Sequence, residues 1–358
     1  MDELLTVADF REAARRVLEP QAWDYFDAAS DGQALKQRNR TAWDEIELRP
    51  RVLVDVSTVD TSTWLLGMKL PFPAMVAPMA YQCLAHPEGE LATARACATT
   101  GVPLIVSTMA THTLEDVANV VPHQWFQLYC HRDPNITDDL IRRAEAAGYR
   151  AIVVTADAPI LGRRIADERN KFELPAGLTR ANLVPYESLA TDRAFERRDP
   201  SHLAEVFRMR QAANITWQDI DRFRSLTDLP VLLKGISRAD DAKRAVETGC
   251  AGIVVSNHGG RQLDASIATA RALPAVVAAV NRAVPVLVDG GVEWGADILR
   301  ALALGADAVL VGRPILWGLA VGGTSGVTRM LDLYMDDFRR AMQLCGCARV
   351  ADVNRDLL

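Results

Sequence analysis

Eight short apolar, β-branched runs, each separated from the next by helical or loop sequence, constrain this chain more than any other feature. They occupy 74–78, 103–107, 125–129, 151–155, 231–234, 253–256, 286–289 and 308–311. The runs are continuously apolar rather than alternating, which marks strands buried on both faces, as in a parallel sheet covered by helices. Between them, GELATARACATTG, ITDDLIRRAEAAGY, SRADDAKRAVETGC and EWGADILRALALGA space their apolar residues at the helical period. Gly101, Gly148, Gly249 and Gly305 stand where those helices should end. Eight strand–helix units predict a single α/β domain, a (β/α)8 TIM barrel filling the 358 residues.

Two segments depart from an even barrel. Residues 1–72 precede the first strand as an extension with two helix patterns and a Pro-flanked extended stretch. Residues 158–229, between the fourth and fifth strands, are far longer than the other connections and predict a lid folded over the strand ends.

Active sites of such barrels sit at the C-terminal ends of the strands. Polar and reactive groups recur there: Met79–Ala80–Tyr81, Ser107 and Thr108, Gln127 and Tyr129, Thr155 and Asp157, then Lys234. The sixth strand runs through GIVVSNHGGRQLD, where glycines hinge a loop carrying His258 and Arg261 at the mouth of a site. The loops after the seventh and eighth strands, DGGVEWG and VGRP, supply backbone N–H groups and the Arg313 guanidinium, a fork suited to phosphate. Phosphate on one side and Ser107, Gln127, Thr155 and Lys234 across the mouth suggest a phosphorylated planar cofactor rather than a small sugar phosphate. These side chains could read the polar edge of a flavin ring, with Lys234 placing positive charge where a reduced flavin is negative.

Composition removes other classes. A formal net charge of -6 leaves no basic stripe for nucleic acid. Every long apolar stretch is interrupted before reaching membrane-spanning length. The start, MDELLTVADFREAARRVL, reads as an amphipathic helix and not as a signal peptide. Cys83, Cys97, Cys130, Cys250, Cys345 and Cys347 are scattered and read as reduced thiols of a cytoplasmic protein. His86 reads as a turn-shaping residue. His112, His123, His131 and His202 show no metal-ligand spacing, so no metal is expected. No G-x-G-x-x-G opens a helix after a strand, which disfavours a nicotinamide enzyme.

SNHGGRQLD, DGG with GRP, HPEGE at 86–90, QLY at 127–129 and LGRR at 161–164 resemble the FMN-dependent 2-hydroxy acid oxidase and dehydrogenase family, over about residues 5–350. That family includes glycolate oxidase, lactate oxidase and mandelate dehydrogenase. The resemblance implies FMN as cofactor, a small-molecule (S)-2-hydroxy acid and O2 as partners, H2O2 as product and a homotetramer. His258 then resembles the catalytic base and Asp157 its partner, expected to raise the histidine pKa. Arg164, Arg261 and Tyr25 resemble the substrate-carboxylate clamp, and Tyr129 the tyrosine at the substrate hydroxyl. Ala77, Pro78, Met79, Ala80, Ser107, Gln127, Thr155, Lys234 and Ser256 match the flavin-ring positions. Asp289, Gly290, Gly291, Gly312 and Arg313 match the ribityl and phosphate site, and Asp264 resembles a structural anchor.

The chain departs from the family pattern at three positions. Glu293 replaces an arginine that reaches the phosphate in most relatives, and Met109 replaces a tryptophan of the substrate pocket in glycolate oxidase. Tyr81 adds an aromatic wall similar to that of hydroxymandelate oxidases. A carboxylate at Glu293 would repel the phosphate unless paired with a cation, which implies a looser hold on FMN, while Met109 and Tyr81 point to a bulky apolar or aryl side chain on the substrate. Ala80 resembles the residue common in oxidases. A dehydrogenase passing electrons to a quinone or protein, and a flavin-binding protein without turnover, are the alternatives.

Overall fold

The computed structural model describes residues 3–189 and 202–358; residues 190–201 of the expected lid lie outside the described residues. A short antiparallel hairpin, β1 (Thr63–Leu65) and β2 (Met68–Leu70), precedes eight parallel strands. These are β3 (Ala74–Val76), β4 (Ile105–Ser107), β5 (Trp125–Leu128), β6 (Ile152–Thr155), β7 (Val231–Ile236), β8 (Gly252–Val255), β9 (Val286–Val288) and β10 (Ala308–Val311). From β4 to β10 successive strands pair, and β10 returns to pair with β3. The ring is completed between β3 and β4 by the Val76–Leu104 bridge, with Val76 N donating to Pro103 O at 2.9 Å. The eight strands are the eight apolar runs, and the fold is the (β/α)8 barrel.

Several strands stop short of their apolar runs because the last residues leave the ladder for the site. Tyr129 N, for example, donates to the Thr108 hydroxyl at 3.0 Å instead of to a neighbouring strand. β7 does the reverse and continues through a bulge at Gly235.

The strands divide their side chains between two apolar layers. Met75, Ile105, Trp125, Val153, Leu232, Val254, Leu287 and Leu310 point into the barrel, where Leu65, Met68 and Leu70 of the hairpin join them as a plug. Val76, Val106, Phe126, Val154, Leu233, Ile253, Val288 and Val309 face the helices. This two-sided burial is why the runs do not alternate. Gly101, Gly148, Gly249 and Gly305 all have positive φ at the helix ends, where a Cβ would be strained.

The N-terminal extension wraps the C-terminal ends of the strands. A Thr6–Asp9 capping box starts the helix Val7–Val17, which packs along the C-terminal helical segment Arg313–Leu344. Helices Pro20–Asp27 and Ala34–Asp44 follow. Asp264 accepts from Leu35 N at 2.7 Å and Ala34 N at 3.2 Å, so it anchors the start of the latter helix to the loop after β8. The long connection after β6 holds helices Ile165–Asn170, His202–Arg210 and Trp217–Ser225. Ile220 and Phe223 of the last are buried in the main core, as in an ordinary outer helix of the barrel.

Candidate active site

A cavity of about 640 Å³ opens at the C-terminal ends of the strands, within the range of small-molecule sites. Its floor is a polar belt across adjacent strands. Register pairs Ser107 with Gln127 and Thr155 with Lys234. The Ser107 hydroxyl donates to Gln127 Oε1 at 3.1 Å, and Gln127 Nε2 donates to the Thr155 hydroxyl at 2.9 Å. Lys234 Nζ lies 3.0 Å from Asp289 Oδ2 and donates to the Ser256 hydroxyl at 2.9 Å. Burial opposes the ammonium, but Asp289 and then Asp157 outweigh it, so Lys234 titrates above its ordinary value. A fixed cation and a row of hydrogen-bonding side chains can read the polar edge of a planar ring.

Above the belt stands the loop after β8. His258 takes φ 59°, a left-handed conformation costly for a non-glycine residue, and Gly259 follows at φ 63°. That turn aims the imidazole between two partners. Nδ1 lies 3.1 Å from Asp157 Oδ1, and the Tyr129 hydroxyl lies 3.1 Å from Nε2. The network assigns the tautomer: Nδ1–H donates to the carboxylate, leaving the Nε2 lone pair toward Tyr129 and the cavity. Asp157 can approach because residue 235 is glycine. A Cβ there would sit 2.5 Å from Asp157 Cβ, a requirement invisible in the sequence.

Electrostatics corrects one expectation. Asp157 was expected to raise the His258 pKa, yet the net shift is downward. Burial is the largest cause, helped by Lys234 and Arg164, and it exceeds the pull of Asp157. Burial raises Asp157, but His258 and Lys234 overcome it and hold the carboxyl below its ordinary range. At neutral pH the pair is therefore carboxylate and neutral imidazole, the state a proton acceptor requires. Burial, then Asp157, pushes the Tyr129 phenol up, so it remains a donor.

Two arginines close the opposite wall. Arg261 and Arg164 stack over the Tyr25 ring, 5.1 and 5.7 Å from its centroid, and Tyr25 stacks on Phe172 at 4.7 Å. Arg261 Nη1 donates to the carbonyls of Tyr25 and Ala28. Burial and the neighbouring Arg164 push Arg261 down to about 9. Arg164 Nε is buried without a hydrogen-bond partner among the described residues. Two crowded cations and an orphaned donor make a receptor for a carboxylate. Phe207, from the connection after β6, packs edge-to-face on Tyr129 at 5.6 Å.

Among the expected site residues, Asp157 and Ser256 act through His258 and Lys234 rather than lining the cavity, and three others also depart from expectation. Tyr81 and Met109 do not line the cavity. Both are buried behind it, Tyr81 N donating to Met109 O at 3.1 Å and the Tyr81 ring lying 5.6 Å from Tyr25. Arg313 lines the cavity, but Nε, Nη1 and Nη2 donate to the carbonyls of Phe26, Gly259 and Ala28. Of five guanidinium N–H donors, three are thus committed and two remain for a phosphate. Ala77, Pro78, Met79, Ala80, Asp289, Gly290, Gly291 and Gly312 all line the cavity as expected.

The phosphate end also holds residues the sequence did not reveal. Lys36, Arg40 and Arg11 from the extension line it together with Glu293. Arg40 bonds Asp297 at 2.5 Å and the Gly291 carbonyl at 2.6 Å. Burial raises the Glu293 carboxyl above its ordinary range, with Arg40 and Arg11 opposing. Asn39 and Asn257 exchange amide hydrogen bonds of 2.9 and 2.7 Å, tying the extension to the loop of His258. A side-chain cation belt with orphaned Asp289 Oδ1 at one end and Arg164 Nε at the other fits a flavin mononucleotide and an anionic substrate together.

Comparisons with known proteins agree with this geometry. A family described as FMN-dependent dehydrogenase matches residues 14–358. An L-lactate oxidase of Nostoc sp. is 47% identical, covering 99% of this chain and 98% of its own. A 4-hydroxymandelate oxidase of Amycolatopsis orientalis is 45% identical over 98% of this chain and 97% of its own. The crystal structure of mandelate oxidase with (S)-4-hydroxymandelic acid superposes with a TM-score of 0.93 at 45% identity, covering 98% of each chain.

Proposed function

This chain belongs to the FMN-dependent dehydrogenase family, and from that premise we propose that it oxidises an (S)-2-hydroxy acid to the 2-keto acid, with O2 reduced to H2O2. The observation that carries the reading is the placement of a neutral, Asp157-held His258 opposite the Arg164–Arg261 pair in one cavity. Relatives named as oxidases support O2 as the acceptor.

FMN, when bound, supplies the acceptor for the hydride equivalent leaving the substrate α-carbon. Lys234, Ser107, Gln127 and Thr155 would hold its ring, and Arg313 with the Gly290–Gly291 loop its phosphate. Arg164 and Arg261 bind the substrate carboxylate and so fix the α-carbon against the ring, which is positioning work. His258 Nε2 takes the proton that accompanies oxidation. Asp157 stabilises the imidazolium so formed and keeps the ring oriented. Tyr129 donates a hydrogen bond at the same point, where the substrate oxygen arrives. Tyr25, backed by Phe172, and Tyr129, backed by Phe207, present aromatic surface at that end of the cavity.

That aromatic surface supports a bulky apolar or aryl side chain on the substrate, although Tyr81 and Met109 act from behind the wall. Six free cysteines, five of them buried, fit a reducing cytoplasm. Exposed Val52, Leu53 and Trp64 offer apolar surface for the homotetramer. The test is an anaerobic visible spectrum of the FMN-loaded protein, before and after glycolate, (S)-lactate and (S)-mandelate. Bleaching by mandelate ahead of glycolate, with rapid recolouring in air, is the expected result. Slow recolouring would assign a dehydrogenase, and no bleaching by any acid would overturn the reading.

A further inference from the structure

We propose that Cys83, Glu90 and His112 form a binding site for a thiophilic divalent cation of the zinc type, clamping together the loops that follow β3 and β4. The sequence led to no metal expectation because Glu90 and His112 are 22 residues apart and neither lies in a ligand-spaced motif. The barrel brings them together. Cys83 sits in the one-turn helix Gln82–Leu84 after β3, Glu90 opens the helix Gly89–Thr100, and His112 lies in the loop after β4.

The geometry is that of a ligand set. Cys83 Sγ is 3.8 Å from His112 Nδ1, and Nδ1 is 3.1 Å from Glu90 Oε2. All three ligating atoms lie within 4.8 Å of one another. Zinc bonds of about 2.3 Å to sulfur and about 2.0–2.2 Å to nitrogen and oxygen give tetrahedral edges of roughly 3.3–3.6 Å. The Sγ–Nδ1 and Nδ1–Oε2 separations are each within a few tenths of an ångström of such edges, and the half-exposed Cys83 and His112 side chains are the ones free to adjust toward Glu90. A thiolate, an imidazole and a carboxylate are zinc ligands, whereas magnesium and calcium prefer oxygen alone.

The surroundings are built to hold those ligands still. Glu90 is 1% exposed. Its Oε1 accepts from Gln82 N at 3.1 Å and Thr111 N at 3.0 Å, and its Oε2 accepts from the Thr111 hydroxyl at 2.6 Å. Outer hydrogen bonds of this kind orient a carboxylate ligand. Residue 89 must be glycine here, since a Cβ would lie 2.6 Å from Cys83 Sγ. The His112 side chain keeps 23% exposure, leaving a route for the cation and a fourth position for water. On binding, the cation replaces the Cys83 thiol proton, which passes to solvent, and the His112 Nδ1 proton, which passes to Nε2 of a neutral ring or to solvent from a doubly protonated one. A neutral imidazole bearing Nε2–H thus coordinates through Nδ1.

The holoenzyme, stripped with chelator and then given Zn2+, tests this directly. Cys83 is the one cysteine of six that is not buried, so alkylation of its peptide, followed by mass spectrometry, reports the site without reference to turnover. We expect one zinc per chain after gel filtration and Cys83 alkylation slowed by Zn2+ but not Mg2+. Cys83→Ser should abolish zinc retention. His112→Ala should weaken zinc by more than the roughly 10–100-fold that loss of an outer-shell partner costs, with the flavin spectrum unchanged as a control of folding. Equal alkylation with and without Zn2+, or undiminished zinc in either variant, overturns the proposal.

Discussion

Replacing Asp157 by Asn removes one charge while keeping an oxygen that can accept from His258 Nδ1. The carboxylate oxygen lies 3.1 Å from that nitrogen in a largely buried setting. At an effective dielectric of about 20, a unit charge at this distance stabilises the imidazolium by about 5 kcal/mol. Each decade of rate corresponds to about 1.4 kcal/mol, so the ceiling on the loss is near 10⁴-fold. Relaxation of the loop and the retained hydrogen bond set a floor of about 10²-fold, the lower end for general-base catalysis. The sign of the pH effect is also fixed. Asp157 opposes the downward shift of His258, so losing it lowers the histidine pKa further and moves the acid limb of kcat/KM to lower pH. Above that limb both proteins carry a neutral imidazole, and the remaining deficit measures lost stabilisation of the protonated state. Anaerobic stopped-flow reduction of the flavin, run across pH, reads both quantities. A variant within threefold of the parent at high pH, or an acid limb shifted upward, would refute the assigned role of Asp157.

Arg164→Met leaves the substrate carboxylate one charged donor short, worth about 1.5–3 kcal/mol. KM should rise roughly 10–150-fold in steady-state oxygen uptake, while a neutral amide of the same acid should be affected far less. Glu293→Gln removes a carboxylate from the phosphate end of the cavity, and the Kd for FMN should fall on the order of fivefold, about 1 kcal/mol. Recovery of free-flavin fluorescence on dilution measures it, and an unchanged Kd means that Arg40 and Arg11 already neutralise the group. Gly291→Ala places a Cβ 2.7 Å from the Asn39 carbonyl carbon at φ 79°. It should cost about 2–4 kcal/mol by chemical denaturation and release the extension from the phosphate loop; a smaller loss would mean that the helix Ala34–Asp44 yields easily.

The strands were readable because a barrel strand is buried on both faces, so each local run of sequence carries its own signal. The belt of Ser107, Gln127, Thr155 and Lys234 was readable for a related reason: each lies at or next to the end of an apolar run, and barrel topology places such ends in one ring. Arg164 lies in the long connection and Tyr25 in the extension, neither at a strand end, and only the family resemblance pointed to them. The β1–β2 hairpin escaped notice because three-residue strands are too short to show a period. Tyr81 and Met109 were assigned to the pocket wall by family resemblance, which fixes a position in the chain but not whether its side chain faces the cavity or packs behind it.

What the sequence determined by itself was therefore whatever is encoded locally: the eight buried strands, the glycine-ended helices and the residue types offered at the barrel mouth. The tertiary structure decided everything that depends on distance between remote segments. It set the net downward shift of His258, because burial is a sum over all surrounding atoms. It committed Arg313 to the carbonyls of Phe26, Ala28 and Gly259, which arrive from the extension and from the loop after β8. It joined Asn39 to Asn257 and assembled Cys83, Glu90 and His112. Periodicity reports the environment of a residue relative to its neighbours in the chain, whereas charge, hydrogen bonding and ligand geometry act through space.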